Sequence, residues 1–273
     1  MASRRSNAAP PGFEQGRDYV QSLARGLSVL TAFDADHPML GLTGIATRTG
    51  LSRAAARRLV LTLHHLGYVR SVGREYALSP RVLELGFGCL GSLRLTDLAQ
   101  PLIEQVAQRL NHSCSLAVLD GPSIVYVLRV PVRRVMTVAL GVGARLPAYA
   151  ASMGRVLLAG LPPAALDTWL ASCRPVRHTP HTVTDTRRLR RIVQEVRAQG
   201  YAYVEQELEL GLCSLAVPVH DREGRVIAAL NASLPYHAGA AQHALRDLLP
   251  DLRTTAIAIE RCLPANSLPP VSL

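Results

Sequence analysis

The stretch from Leu40 to Leu78, LGLTGIATRTGLSRAAARRLVLTLHHLGYVRSVGREYAL, constrains this chain more than any other part of it. Its spacing predicts a helix, a glycine turn, a second helix and a two-stranded wing. Thr43 is expected to cap a short helix carrying Ile45 and Ala46. Gly50 stands where the chain must turn sharply and a side chain would obstruct the neighbouring helix. Ser52 then caps a second helix. In it Ala56, Leu59, Val60 and Leu63 fall at i, i+3, i+4 and i+7 and pack inward. The other face carries Arg53, Ala54, Arg57 and Arg58. Small residues between arginines let such a helix sit deep in a major groove while guanidinium groups reach guanine edges or phosphates. After Gly67, Tyr68 to Arg70 and Glu75 to Leu78 read as short strands joined through Ser71 to Arg74, with Gly73 at the tip. Such a wing places Arg70 or Arg74 beside the DNA backbone or minor groove.

Charge points the same way. Between His37 and Arg74 stand six arginines (48, 53, 57, 58, 70 and 74) and no Asp or Glu. A solvated face mixes signs, so a one-sign segment is the footprint of a polyanion. The net charge of +10 agrees. His64 and His65 end the second helix, where a cation complements the helix dipole or meets phosphate. The competing reading is a small helical unit that docks protein, which leaves the arginine bias unexplained.

At 273 residues with 48% hydrophobic content, the chain has material for two ordinary cores. No run of about 18 apolar residues and no apolar leader occur, so a cytoplasmic protein without membrane association is expected. The five cysteines (89, 114, 173, 213 and 262) are odd in number, scattered and without a CxxC pair. They read as reduced, mostly buried thiols.

Residues 1–16 are expected to be a disordered tail. The winged helix-turn-helix domain spans 17–79 and opens on a helix from about Tyr19 to Ala32, with Val20, Leu23, Leu27 and Leu30 facing the helix-turn-helix. Residues 80–110 form linker helices, Pro80 to Leu90 and Leu95 to Leu110, broken at Gly91-Ser92. The Gly86 to Gly91 stretch lacks the Lys-Ser/Thr of a phosphate loop. From 111 to 273, strands are expected at Ser115–Leu119, Ile124–Val130, Val135–Leu140, Tyr201–Glu205, Leu212–His220 and Val226–Ala232. Helices are expected at Ser152–Leu161, Pro163–Ala171, Asp185–Gln199 and about Gln242–Cys262. The fold class is therefore α+β, an antiparallel sheet with helices on its faces.

From Tyr19 to about Cys262 the chain resembles the IclR family of bacterial transcription regulators. The resemblance rests on Ser22-Leu23-Ala24-Arg25-Gly26-Leu27, on Leu66-Gly67-Tyr68 entering the wing, and on three later motifs. These run from Leu146 to Ala159 (LPAYAASMGRVLLA), from Glu207 to Val219 (ELELGLCSLAVPV) and from Ala229 to Ser233 (ALNAS). Val142-Gly143-Ala144-Arg145 and the Ser-Met-Gly-Arg core look like the branch controlling aromatic-acid breakdown through protocatechuate and β-ketoadipate. The resemblance implies a GAF-like effector domain that binds a small organic acid, and homodimers or tetramers on a pseudo-palindromic double-stranded DNA operator. It implies effector contacts from Ser152, Met153, Ser214, Asn231 and Ser233. The physics agrees: a helix N-terminus at Ser152 suits a carboxylate, and Asn231 and Ser233 share one side of a strand. Tyr149 and Met153 are expected to supply an apolar wall.

Other constellations carry less. Cys173, His178 and His181 offer zinc-type donors without a fourth at a familiar spacing, and read as a surface loop. Glu205, Glu207 and Glu209 alternate like paired carboxylates, yet no nucleophile or phosphate loop accompanies them, so a solvated edge or interface is expected. Arg133 and Arg134 suit either a ligand carboxylate or a solvated turn. No catalytic residue, cofactor or metal is assigned.

Overall fold

The computed structural model describes residues 19–34, 36–82, 85, 94–132 and 141–263. The expected tail at 1–16, the glycine-rich stretch at 86–91, Arg133, Arg134 and the strand at 135–140 lie outside them. The chain divides into two units, Met1–Gly91 and Ser92–Leu273.

In the first unit α1 (Gln21–Leu30), α2 (Leu42–Thr49) and α3 (Arg53–His65) are joined by a three-stranded antiparallel sheet. Its strands are β1 (Met39–Leu40), β2 (Val69–Val72) and β3 (Glu75–Leu78), in the order β1-β3-β2. Strand β1 is too short to show a period of its own; it exists because β3 offers it a ladder. Val29, Phe33, Ile45, Ala56, Val60 and Val69 form the core, with Leu59 and Leu63 packed against it. Gly50 ends α2 in the left-handed region at φ +71°, a conformation that costs other L-residues roughly 1–2 kcal/mol.

Two expectations fail here. The cap of α2 is Gly41, and Thr43 lies inside the helix with its carbonyl accepting from Thr47 Oγ1 at 3.0 Å. A cap must be extended, and the chain leaves β1 extended through Gly41, two residues earlier. On α1, Val29 and Leu30 are buried while Val20, Leu23 and Leu27 are 58%, 62% and 51% exposed. The anchors are Val29, Leu30, Ala32 and Phe33 at and just past the helix's end, so of the predicted stripe only Leu30 reaches the core.

The second unit is three-layered. Six antiparallel strands lie in the order β6-β5-β4-β9-β8-β7. They are β4 (Ser113–Asp120), β5 (Ser123–Val130), β6 (Arg145–Pro147), β7 (Ala202–Glu205), β8 (Leu212–His220) and β9 (Val226–Pro235). One face carries α4 (Arg94–Leu110) and, after a π-helical stretch at Ala244–Leu248, the closing helix α8 (Leu249–Cys262). The other carries α5 (Ser152–Gly160), α6 (Pro163–Ser172) and α7 (Thr186–Gln199). Helix α4, expected as part of a linker, packs into this unit. Its Leu95, Ala99, Ile103, Val106 and Ala107 are buried in one core with Leu252 and Ile259 of α8, because an apolar stripe of that length must find a partner.

Candidate DNA interface and effector site

Helix α3 presents its polar face as expected. Ser52 is the cap, its Oγ accepting from the Ala55 N–H at 3.2 Å. Ala56 and Val60 are buried while Arg53, Ala54, Arg57 and Arg58 are exposed. Thr43 is exposed on α2. Strand β2 continues to Val72, which pairs with Glu75, so the wing turns on Gly73 and Arg74 alone, with Gly73 at φ +62°. Arg70 and Arg74 are both exposed. Arg48 behaves differently. It pairs with Asp34 through Nη2, and its Nε donates to the Ala32 carbonyl at 2.8 Å. The sequence tally counts it with the DNA-facing arginines, but Asp34 lies just outside the acid-free window and claims it.

In the second unit, alternation along the strands sorts side chains between the two faces. Leu215, Leu230 and Leu234 pack toward α4 and α8; Ser214, Asn231 and Ser233 point the other way, toward α5. Ser152 is the first residue of α5, after the cap Ala151, which has no side-chain acceptor for the first turn. The Ser152 and Ser214 hydroxyls lie 2.6 Å apart. Asn231 Nδ2 donates to Ser214 Oγ at 3.0 Å and to Ser233 Oγ at 3.3 Å. Four sequence-predicted residues therefore meet in one polar chain, buried at Ser152, Asn231 and Ser233 and half-buried at Ser214, beneath a helix N-terminus whose leading N–H groups have no intrahelical acceptor. Met153 lines the same cleft.

Tyr149 does not line it. Its hydroxyl donates to the Val176 carbonyl, accepts from the Val176 N–H and meets His178 Nε2, each at 2.9 Å. The short 3-10 turn at Ala148–Ala150 directs its ring toward the Cys173–His178 loop rather than toward the sheet. The aromatic wall is Tyr126 on β5, with Leu146, Leu208 and Leu212 completing the apolar lining. Burial pushes the Tyr126 phenol up to about 12. Tyr126 is visible in the sequence only as one more β-former in an apolar run. Its neighbourhood depends on β5 pairing with β4.

Glu207 corrects a further expectation. It is no solvated edge: its carboxylate is buried and takes Arg155 Nη2 at 2.7 Å and the Val183 N–H at 2.9 Å. Arg155 Nε donates to the Tyr149 carbonyl at 3.0 Å. Burial holds the Arg155 pKa below the ordinary guanidinium value, against the opposing pull of Glu207. Thr179 and Thr182 donate to the Gln206 and Glu207 carbonyls at 2.6 Å each. The ion pair and threonines pin the 206–208 segment, with Gln206 at φ +55°, against α5 at the edge of the cleft. Gly154 explains the rest of the Ser-Met-Gly-Arg sequence. A Cβ there would meet the Ala148 carbonyl oxygen at 2.1 Å, so only glycine lets α5 lie this close to the turn.

The helix-turn-helix description of the IclR family matches residues 22–73, and that of the bacterial transcriptional regulator IclR C-terminal domain matches residues 87–261. The chain belongs to the IclR family. Like other members of this family it is a ligand-responsive, DNA-binding transcriptional regulator. The Pca regulon regulatory protein of Pseudomonas putida is 44% identical over 217 residues, 79% of this chain and 75% of that protein. The p-hydroxybenzoate hydroxylase transcriptional activator of Acinetobacter baylyi is 37% identical over 88% of this chain and 90% of its own. An IclR homolog from Microbacterium hydrocarbonoxydans, solved in complex with 4-hydroxybenzoate, is 32% identical. It aligns with a TM-score of 0.78 over 88% of this chain and 98% of its own. Among the described residues no helix is long and apolar enough to cross a membrane.

Proposed function

We propose that this regulator senses a hydroxylated aromatic acid and controls genes of aromatic-acid breakdown. The observation that carries the reading is the convergence of Ser152, Ser214, Asn231 and Ser233 beneath the α5 N-terminus, beside an aromatic and apolar wall. The leading N–H groups of α5 are suited to the carboxylate, since they offer unpaired donors at the positive end of the helix dipole. The phenyl ring lies between Tyr126 and Met153. The relatives named for regulating the Pca regulon and for activating p-hydroxybenzoate hydroxylase, and the homolog solved with 4-hydroxybenzoate, support the same chemistry.

On the DNA side, Arg53, Arg57 and Arg58 of α3 read the major groove or its phosphates, with Ala54 allowing close approach. Ser52 and Thr43 meet the backbone, and Arg70 and Arg74 of the wing reach the flanking groove. A homodimer, alone or paired as a tetramer, on two half-sites in register with the DNA repeat supplies the symmetry of the operator. The cytoplasm is where such a protein meets DNA and acid together.

Thermal shift with benzoate, 4-hydroxybenzoate, 3,4-dihydroxybenzoate and adipate, followed by gel shift on DNA flanking the gene, tests the reading. A hydroxybenzoate raises the melting temperature and changes DNA affinity. If no acid moves either quantity, the reading is wrong.

A further inference from the structure

Three buried side-chain polar atoms have no hydrogen-bond partner among the described residues: Ser115 Oγ, Arg129 Nη1 and Asn231 Oδ1. They are neighbours. Ser115 on β4 stands opposite Arg129 on β5 and opposite Asn231 on β9, so the three form one row across the sheet. The flanking Leu116, Leu128 and Leu230 pack on the α4/α8 face, which turns the row toward the face that bears α5 and the cleft. Ser115 is 0% exposed and Asn231 2%. Asn231 lines the cleft beside Tyr126, and the Arg129 charge offsets part of the upward push that burial exerts on the Tyr126 phenol.

An isolated orphan is an ordinary local compromise. Three in one cross-strand row, on the cleft side, are a built site awaiting a partner, because buried polar groups are otherwise almost always paired. The donor inventory defines that partner. A guanidinium nitrogen only donates, a serine hydroxyl donates or accepts, and the Asn231 oxygen accepts while its Nδ2 is occupied by Ser214 and Ser233. A group that fits all three must accept one hydrogen bond and donate another. A phenolic hydroxyl does both. A second carboxylate satisfies Arg129 and Ser115 but sets its lone pairs against those of Asn231.

We infer that the Arg129–Ser115–Asn231 row binds the ring hydroxyl of the effector, and so selects hydroxylated benzoates over benzoate itself. The inference rests on the aromatic-acid reading above and adds the residues that discriminate within that class. The carboxylate stays at the α5 N-terminus, across β9 and β4 from Arg129. Three strand spacings, about 14 Å between backbones, leave room for a ring once the arginine side chain reaches inward. Asn231 joins the two ends, holding the serines with its nitrogen and meeting the hydroxyl with its oxygen.

Calorimetry on the full chain with benzoate, 4-hydroxybenzoate and terephthalate decides it. The parent binds 4-hydroxybenzoate at least roughly tenfold more tightly than benzoate, since a hydroxyl site left unpaired penalises the analogue lacking it. Terephthalate, with a second carboxylate at the same ring position, binds more weakly than 4-hydroxybenzoate. Ser115→Ala and Arg129→Met each weaken 4-hydroxybenzoate about tenfold and leave benzoate where it was. Ser115→Ala also melts at or above the parent temperature without ligand, because it removes an orphan rather than a bonded group. That variant keeps the test decisive if Arg129→Met misfolds. The row is overturned if both ligands weaken together, if neither weakens, or if terephthalate is preferred. A parent that binds 4-hydroxybenzoate tightly and is indifferent to Ser115→Ala refutes the row alone. A parent that binds no aromatic acid refutes the row together with the function proposed above.

Discussion

Asn231 sits at 2% exposure on a strand whose neighbours are alanine and leucine, and its amide nitrogen ties Ser214 to Ser233. Buried amides of this kind stabilise only through the bonds they complete, so truncation acts on the ligand site before it acts on the fold. Asn231→Ala and Ser214→Ala are each expected to weaken the best aromatic acid by about 1.5–3 kcal/mol, roughly ten- to a hundredfold. DNA binding without effector stays close to the parent's, and calorimetry beside gel shift reads both. Arg57→Ala is expected to cost on the order of 1–3 kcal/mol in operator affinity and to relax preference at one base position if it contacts a guanine. Equal loss on specific and random duplex would instead make Arg57 a phosphate contact. Glu207→Leu strands the Arg155 charge in a buried site, a loss of about 3–5 kcal/mol visible as a lower melting temperature.

At the level of elements, α5 is held against the sheet by close contact rather than by its polar residues. Gly154 meets the Ala148 backbone with no room for a methyl group, and Gly160 meets Val226, where a Cβ would stand 2.5 Å from the valine Cβ. Gly154→Ala is therefore expected to displace the N-terminus of α5 from Ser214. Aromatic-acid binding falls by more than tenfold and the domain is destabilised by about 1–3 kcal/mol. Near-native ligand affinity in that variant, measured by calorimetry, would show that the turn at Ala148–Ala150 yields instead. In the DNA-binding unit, Ser52→Ala removes the α3 cap and costs about 1 kcal/mol.

Across the whole molecule, the two units answer to different physics. The DNA contacts proposed for the first unit's exposed arginines would neutralise phosphates and release counterions. Operator affinity is expected to fall steeply with salt: with on the order of six phosphates neutralised per bound operator, log K drops with a slope of about −5 against log salt. A shallow slope would move the arginines of α3 and the wing to a protein partner. Effector binding, desolvated in the cleft, is expected to respond much less to the same salt series.

Much of this organisation is legible in local patterns, because each such pattern is settled within a few residues. The α3 stripe, the Ser52 cap, the left-handed Gly50, the β8–β9 hairpin and the alternation that puts Asn231 and Ser233 on one side all follow from helix and strand periods. Other features need partners distant in the chain. Which side of α1 is buried depends on where Phe33 lands. Whether Arg48 is free for DNA depends on Asp34, and whether the Leu95–Leu110 segment links or packs depends on α8, more than a hundred residues later. Glu207 reads as one of three alternating acids until Arg155 folds beneath it. Tyr126 rather than Tyr149 lines the cleft because a 3-10 turn aims Tyr149 at the Cys173–His178 loop while strand pairing carries Tyr126 there. Ser115 and Arg129 are unremarkable within their own strands; only the register of β4 between β5 and β9 places them beside Asn231. Periodicity assigns a side chain to a face, but strand register and helix docking decide which other side chains share that face, and binding chemistry resides in those neighbours.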